Sequence, residues 1–168
     1  SCKNPPLTIK DTISWNTRIC FYWRCSAAFY AMRVENCWVG TRKSPVYIVK
    51  SDGCTAESAL LHSPSYASFL SAISVGWLSI RQAGMTELLV SCNITLCHIC
   101  DIFCREYTPP RSCRDSLNRN YDRMWNESVL VERACKQPEE TATVENVKGA
   151  SPNLSVSSVA VVAIIITL

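Results

Sequence analysis

Glycine and histidine are scarce in this 168-residue sequence, and their scarcity limits the chemistry it can support. With 5 glycines, the chain has no Gly-rich loop to cradle a phosphate and no G-x-S-x-G elbow for a nucleophile. Its two histidines are His62, in a stretch that predicts a loop, and His98, among cysteines. A Cys–His nucleophilic pair needs a reduced, activated thiolate, which nothing here favours over a disulfide. The sequence therefore predicts no enzyme, no cofactor and no small-molecule substrate.

Concentrated charge of one sign and a long apolar run are also missing. The formal net charge is +3, and the densest basic stretch contains Arg111, Arg114, Arg119 and Arg123. That stretch predicts a solvated, protease-accessible linker rather than a nucleic-acid-binding face. The longest apolar run, from residue 159 to residue 168, has about ten residues, whereas a helix needs roughly 20 to span a bilayer.

Cysteine, by contrast, is abundant. The chain has 11 cysteines, several times the share that a reducing cytosolic protein usually carries. Three N-x-[ST] sequons, at Asn93, Asn126 and Asn153, are candidate glycosylation sites. Both signals indicate the secretory pathway and an extracellular or cell-surface location. Because 11 is odd, at least one thiol is free, intermolecular, or paired with a part of the protein outside this sequence.

Short strands separated by turn residues fill the chain from residue 7 to about residue 113. The clearest is Glu87 to Leu96, where apolar residues occupy alternate positions. Strand signals every 10–20 residues predict an all-β sandwich. A helix over residues 60–80 is the alternative, which Ser63-Pro64 and several β-branched residues disfavour.

The cluster Cys92-x4-Cys97-x2-Cys100-x3-Cys104 allows three interpretations. Its first three cysteines match the spacing of a plant-type [2Fe–2S] ferredoxin, but Cys92 lies within an apolar strand and a sequon lies inside the motif. A zinc site with His98 as an extra ligand is the second, although a secreted chain seldom leaves four thiolates free. A disulfide knot after a strand is the interpretation that we favour.

An ordered series of motifs resembles a known family. The segments are Val34-Glu-Asn-Cys-Trp-Val39, Pro45-Val-Tyr-Ile-Val49, Asp52-Gly-Cys54 and Leu89-Val-Ser-Cys-Asn-Ile-Thr-Leu-Cys97. Together they resemble the zona pellucida (ZP) module, specifically its carboxy-terminal half, ZP-C, over roughly Met32 to Cys113. The first half, ZP-N, and a signal peptide are expected upstream.

The resemblance implies a disulfide-stapled, immunoglobulin-like β-sandwich that polymerises with other ZP-module proteins into filaments or matrix. A membrane-anchored, receptor-type ectodomain that binds a protein ligand without polymerising is the alternative. The implied divisions are an upstream strand or linker region (1–31), the ZP-C-like domain (32–113), a flexible charged linker or propeptide (114–148) and an apolar membrane-anchor signal (149–168). Arg119 to Arg123 is only a loose substitute for the family's dibasic convertase site.

The family pattern also implies disulfide pairs. These are Cys37–Cys92, Cys54–Cys104 and Cys97–Cys100, the first of them stapling the two sheets across the sandwich. It leaves the pairing of five cysteines open: Cys2, Cys20, Cys25, Cys113 and Cys135.

The linker contains one apolar patch, Val129-Leu130-Val131. In the family, a short hydrophobic segment after the domain packs against it and blocks premature assembly until proteolysis removes it. The patch has the right place for that role, and a chance apolar triplet in a linker is an equally good interpretation.

The tail resembles a membrane-attachment signal. Gly149, Ala150 and Ser151 are small residues, Pro152–Ser158 is a polar spacer, and Val159–Leu168 is apolar, which together predict a GPI signal. The competing interpretation is a transmembrane helix continuing beyond residue 168. A core strand is disfavoured because no sequence follows to pack on it.

Overall fold

The computed structural model describes residues 17–78, 87–126, 129–136 and 164–167. Its strands are β1 (Thr17–Arg24), β2 (Tyr30–Thr41), β3 (Ser44–Val49), β4 (Ser65–Ser68), β5 (Ser71–Leu78), β6 (Glu87–His98), β7 (Ser112–Cys113), β8 (Ser116–Leu117) and β9 (Ile164–Thr167). Its helices are α1 (Ile102–Tyr107), α2 (Tyr121–Asn126) and α3 (Val129–Cys135).

Two antiparallel sheets form a sandwich. Sheet A has the strand order β3-β2-β6-β9, and sheet B has the order β1-β5-β4. A small third sheet pairs β7 with β8. The all-β, disulfide-stapled fold class predicted from the sequence is confirmed. The disfavoured helix over 60–80 is replaced by β4 and β5.

Alternation of apolar and polar residues explains which face of each strand is buried. In β1, Ile19, Phe21 and Trp23 point into the core while the residues between them are exposed. In β6, Val90, Cys92 and Ile94 are buried, in the period-two pattern visible in the sequence. Burial of these side chains supplies the main driving force for closing the two sheets on each other.

A tyrosine links the two sheets through the core. Tyr66 of β4 is 1% exposed, and its hydroxyl accepts a hydrogen bond of 3.0 Å from the Val34 backbone N–H in β2. Burial raises the pKa of Tyr66 well above its usual range, so the hydroxyl stays neutral. This hydrogen bond satisfies an N–H that would otherwise be buried without a partner.

Residues beyond Cys113, expected to form a charged linker, contribute to the core. Tyr121, Met124 and Trp125 of α2 are buried, and the Trp125 ring packs edge-to-face on Phe69 at 4.8 Å. Their i, i+3, i+4 spacing is the signature of an amphipathic helix. At the other end, β1 pairs with β5 along its whole length. Both expected boundaries, 31/32 and 113/114, therefore fall inside one packed unit.

The carboxy-terminal apolar run supplies an edge strand to sheet A. β9 pairs antiparallel with the start of β6, from Glu87 opposite Thr167 to Val90 opposite Ile164. The sequence disfavours a core strand here, but the structure pairs this run with β6, which precedes it in the chain. Backbone pairing at a free sheet edge requires no later sequence.

Candidate functional site

The first bridge joins neighbouring strands of one sheet. Cys37 and Cys92 are bonded, as the resemblance implies, but β2 and β6 are adjacent in sheet A, and the two Cα atoms are 4.0 Å apart. The expected placement across the sandwich is therefore wrong. The register shifts between Glu35 and Trp38, where Asn36 has φ +49°. This bulge brings the two cysteines opposite each other at the buried face.

Cys54 is bonded to Cys113, not to Cys104 as expected. Cys104 is 3% exposed and sits on the inward side of α1, where it is bonded to Cys97. That turn is shaped by Asp52, whose carboxylate accepts a 2.9 Å hydrogen bond from the Cys54 N–H. Gly53 adopts φ +80°, which favours glycine. The turn therefore presents Cys54 to the β7–β8 hairpin.

The expected Cys97–Cys100 pair is also wrong. Cys97 is bonded to Cys104, and Cys100 is bonded to Cys135. Asp101 caps the first turn of α1 by accepting a hydrogen bond from the Phe103 N–H at 2.9 Å, and this turns Cys104 back towards the end of β6.

All four cysteines of the Cys92–Cys104 cluster are therefore in disulfides. Cys20 is also disulfide-bonded, and Cys25 carries a free, half-buried thiol whose pKa is raised by burial.

Two bridges, Cys54–Cys113 and Cys97–Cys104, hold a helical cap on one end and side of sheet A, and a third, Cys100–Cys135, lies within the cap. We define the cap as residues 99–126 and 129–136, which include α1, the β7–β8 hairpin, α2 and α3. The Arg33 guanidinium, on the outer face of β2, donates to the Tyr107 carbonyl at 3.3 Å and pairs with Glu35 at 2.5 Å. Thr95 of β6 donates to the other Glu35 oxygen at 2.6 Å. The cap is thus joined to the sheet by polar contacts as well as by bridges.

A carboxylate clamp secures the β7–β8 hairpin. Asp115 accepts hydrogen bonds from the Ser63 hydroxyl at 2.5 Å and from the Ser63 N–H at 2.9 Å. Burial pushes the pKa of Asp115 upward, but these hydrogen bonds outweigh it and hold the pKa below its ordinary value. The Ser63 hydroxyl in turn accepts from the Thr55 N–H at 2.9 Å. The His62 ring lies 3.9 Å from the same carboxylate.

This clamp lacks the geometry of a catalytic triad. Ser63 donates directly to Asp115 rather than to His62, so no general base activates the hydroxyl. An open hollow beside the Cys54–Cys113 bridge is lined by residues of mixed charge. In the part of the chain that the structure describes, no three His, Cys, Asp or Glu side chains are grouped to hold a metal ion.

Two of the three sequons can be placed. Asn93 is exposed on the outer face of β6, and Asn126 is exposed at the end of α2, where its side chain accepts a hydrogen bond from Arg105. Asn153 lies outside the described residues.

The predicted apolar patch is divided between surface and interior. In α3, Val129 is 67% exposed and Leu130 is 43% exposed, whereas Val131 packs against the core. The predicted attachment residues Gly149, Ala150 and Ser151 lie outside the described residues. Among the helices of the described ranges, none is long and apolar enough to cross a membrane.

Taken together, the fold and its bridges define a disulfide-bonded, antiparallel β-sandwich domain of the kind found in oxidising compartments. The chain is 42% identical over 171 aligned residues to Cuticlin-like protein 19 of Caenorhabditis elegans, an alignment that covers 100% of this chain and 71% of that protein. It is 31% identical over 86 residues to Cuticlin-6 of the same organism, covering 51% of this chain and 15% of that protein. No family model matches the chain. The chain belongs to the cuticlin-like protein family.

Proposed function

We propose that this chain is a structural component of an extracellular cuticle, built on a ZP-C-type sandwich and assembled with other ZP-module proteins. The observation that carries the proposal is the 42% identity to a cuticlin-like protein along the whole chain. Its named relatives are cuticlins, a name that refers to cuticle. The disulfide framework suits this role, because the bridges add to the free energy of unfolding of a domain whose small hydrophobic core gives only marginal stability.

The edge of sheet A is the feature through which assembly would be controlled. β9 covers the start of β6, and a strand edge without a partner is a template for pairing with another chain. Removal of β9 would expose the β6 backbone from Glu87 to Val90. We therefore assign to β9 the blocking role that the resemblance attributes to an apolar segment after the domain. Val129, Leu130 and Val131 are the second candidate, since two of them are exposed.

The same apolar run could act as a membrane-attachment signal before processing. The two uses exclude each other within one molecule at one time, because a run held in the membrane cannot pair with β6, and GPI attachment near Gly149 would remove the run and β9 with it. Glycosylation at Asn93 would place a glycan on the outer face of sheet A, where it would disfavour stacking of another domain on that face.

A receptor-type ectodomain is the second candidate function. The exposed side chains of α1 favour it, because they could bind a protein ligand without polymerisation. The two candidates differ in where the mature protein is found.

The proposal is tested by tagging the full-length protein in its own organism, between the signal peptide and the first domain, and imaging it at the body surface. We expect the tag in an extracellular layer after shedding from the cells that made it. A tag that stays on the plasma membrane throughout would support the receptor instead. A matched control is the same tag on a variant with the β9 residues Ile164–Thr167 changed to serine, which should assemble early, inside the secretory pathway.

A further inference from the structure

The Cys100–Cys135 bridge closes a loop that contains a group of exposed basic residues. All of them are arginines on the surface of the cap: Arg105, Arg111, Arg114, Arg119, Arg123 and Arg133. Beyond Cys135 the sequence has no arginine, and its basic residues before β9 are Lys136 and Lys148. A protease that requires arginine can therefore cut the chain beyond residue 100 only inside this loop.

Hydrolysis inside the loop does not separate the two pieces of the chain. At each cut the peptide C–N bond breaks, and water supplies a hydroxyl group to the carbonyl carbon and a hydrogen to the nitrogen. No sulfur atom takes part, so the bridge is unchanged. The piece that carries Cys135 and β9 therefore stays bonded to Cys100, which follows β6 in the chain.

The bridge also determines how closely β9 is held to the edge with which it pairs. The shortest covalent route from Val90 to Ile164 runs along β6 to Cys100, across the bridge, and on from Cys135. That route has about 40 residues and includes none of the arginines of the loop, so a cut at any of them leaves its length unchanged. The local concentration of β9 at the edge of sheet A is therefore the same before and after such a cut.

Non-covalent packing holds the same piece less firmly. After a cut between α2 and α3, the described part of the piece would keep two side chains of α3, Val131 and Ala134, against the core, and β9 on sheet A. Val129 and Leu130 of α3 are exposed and add little to this contact. A stable interface between separate chains has roughly 20–30 residues on each side, so this contact alone would be lost on dilution.

We propose that the Cys100–Cys135 bridge retains β9 on sheet A after cleavage in the cap, so that the edge is freed only by a cut beyond Cys135. The inference rests on the blocking role proposed for β9. It excludes the stretch from Arg119 to Arg123 as the cut that starts assembly, although both arginines are exposed. The protease that frees the edge must accept a residue other than arginine before the bond that it cuts.

The retention is tested by placing the recognition sequence of a site-specific protease on either side of Cys135 in the full-length protein. The inner variant carries it between Ser128 and Val129, which leaves the Asn126 sequon intact, and the outer variant carries it directly after Lys136. Both variants keep every cysteine, and the uncut form of each is its control. Near-ultraviolet circular dichroism shows that each variant is folded before it is cut.

Hydrogen exchange at the Glu87–Val90 edge, measured by mass spectrometry, reports whether β9 is in place. After complete cutting, the inner variant should exchange as its uncut form does, because the tether keeps the local concentration of β9 on the order of 1 mM. At about 1 µM protein the outer cut lowers that concentration about a thousandfold, and exchange at the edge should become at least about tenfold faster. Cys100→Ser/Cys135→Ser in the inner variant should give the outer result after cutting.

Three outcomes would overturn the proposed retention. They are an inner cut that removes the protection while the bridge is intact, an outer cut that leaves the protection unchanged, and an inner cut in the serine-substituted protein that leaves it unchanged. The inner and outer variants decide the question even when the serine-substituted protein does not fold, because both keep the bridge.

The blocking role of β9 has a separate readout, which is light scattering of the outer variant after cutting. We expect self-association as soon as the edge is freed. An outer cut that frees the edge without self-association would remove the blocking role and leave the retention standing. An inner cut that frees the edge would instead remove the retention, whether or not the protein then assembles.

Discussion

Removal of the Cys37–Cys92 bridge is expected to lower the free energy of unfolding more than removal of the Cys97–Cys104 bridge. The first closes a loop of 55 residues and the second a loop of 7. When a bridge stabilises by restricting the unfolded chain, its contribution grows as 1.5RT times the logarithm of loop length. The two loops then differ by about 1.8 kcal/mol.

The remaining bridges reduce this difference. The bridges Cys54–Cys113 and Cys97–Cys104 connect Cys37 to Cys92 by a shorter route in the unfolded chain. That route runs from Cys37 to Cys54, across the first bridge, back along the chain to Cys104, across the second bridge and on to Cys92. That path has about 30 residues, which lowers the expected difference to about 1.3 kcal/mol. The predicted range is therefore about 1.3–1.8 kcal/mol.

The comparison uses double Cys→Ala variants of each pair. Cys37, Cys92 and Cys104 are nearly inaccessible, but Cys97 is half-buried, so the cavity terms cancel only in part and the remainder adds to the loss expected for Cys37–Cys92. Urea-induced unfolding followed by tryptophan fluorescence gives both free energies, with the m value as a check that the unfolded states remain comparable. Equal losses, or a larger loss for Cys97–Cys104, would contradict the loop-entropy reasoning.

Further predictions concern single side chains, each checked by chemical denaturation. Asp115→Asn should lower the free energy of unfolding by about 1–2 kcal/mol. Because the folded pKa of Asp115 is depressed, this contribution of the wild-type carboxylate is present above about pH 4 and is lost as the pH falls further. A difference between the two proteins that does not change with pH would argue against it. Tyr66→Phe should cost about 1–3 kcal/mol by leaving the Val34 N–H buried and unpaired, and an unchanged midpoint would count against that hydrogen bond. Gly76→Ala should lower the free energy of unfolding by about 1–3 kcal/mol, because the added methyl group would overlap the backbone of the preceding loop. A variant as stable as the wild type would show that this close approach is absent.

Local pattern was enough to predict β2, β3, β5 and β6, but not β1 or the three helices. The alternation in β6 depends only on which residues are apolar, whereas the pairing of Cys37 with Cys92 was implied by the resemblance to the ZP family and is confirmed. The same reasoning could not place that bridge within one sheet, because strand order is a property of the tertiary fold.

The other errors share a physical cause. Which cysteines bond to each other depends on distances in the folded protein, and the spacing of residues along the sequence does not determine those distances. Cys135 stands 35 residues from Cys100, and only the docking of α3 brings them together. The charged residues around α2 concealed its buried side chains, since a linker and the outer side of an amphipathic helix have similar compositions. The final apolar run was ambiguous for the same reason, because an edge strand and an anchor are equally hydrophobic.

The central claim is that this chain is a structural component of an insoluble extracellular cuticle. The most direct test is to extract isolated cuticle with hot detergent and to quantify peptides of this chain in the insoluble residue and in the extract. We predict that most of the protein remains in the insoluble residue. Recovery of nearly all of it in the soluble extract as a monomer would contradict the account.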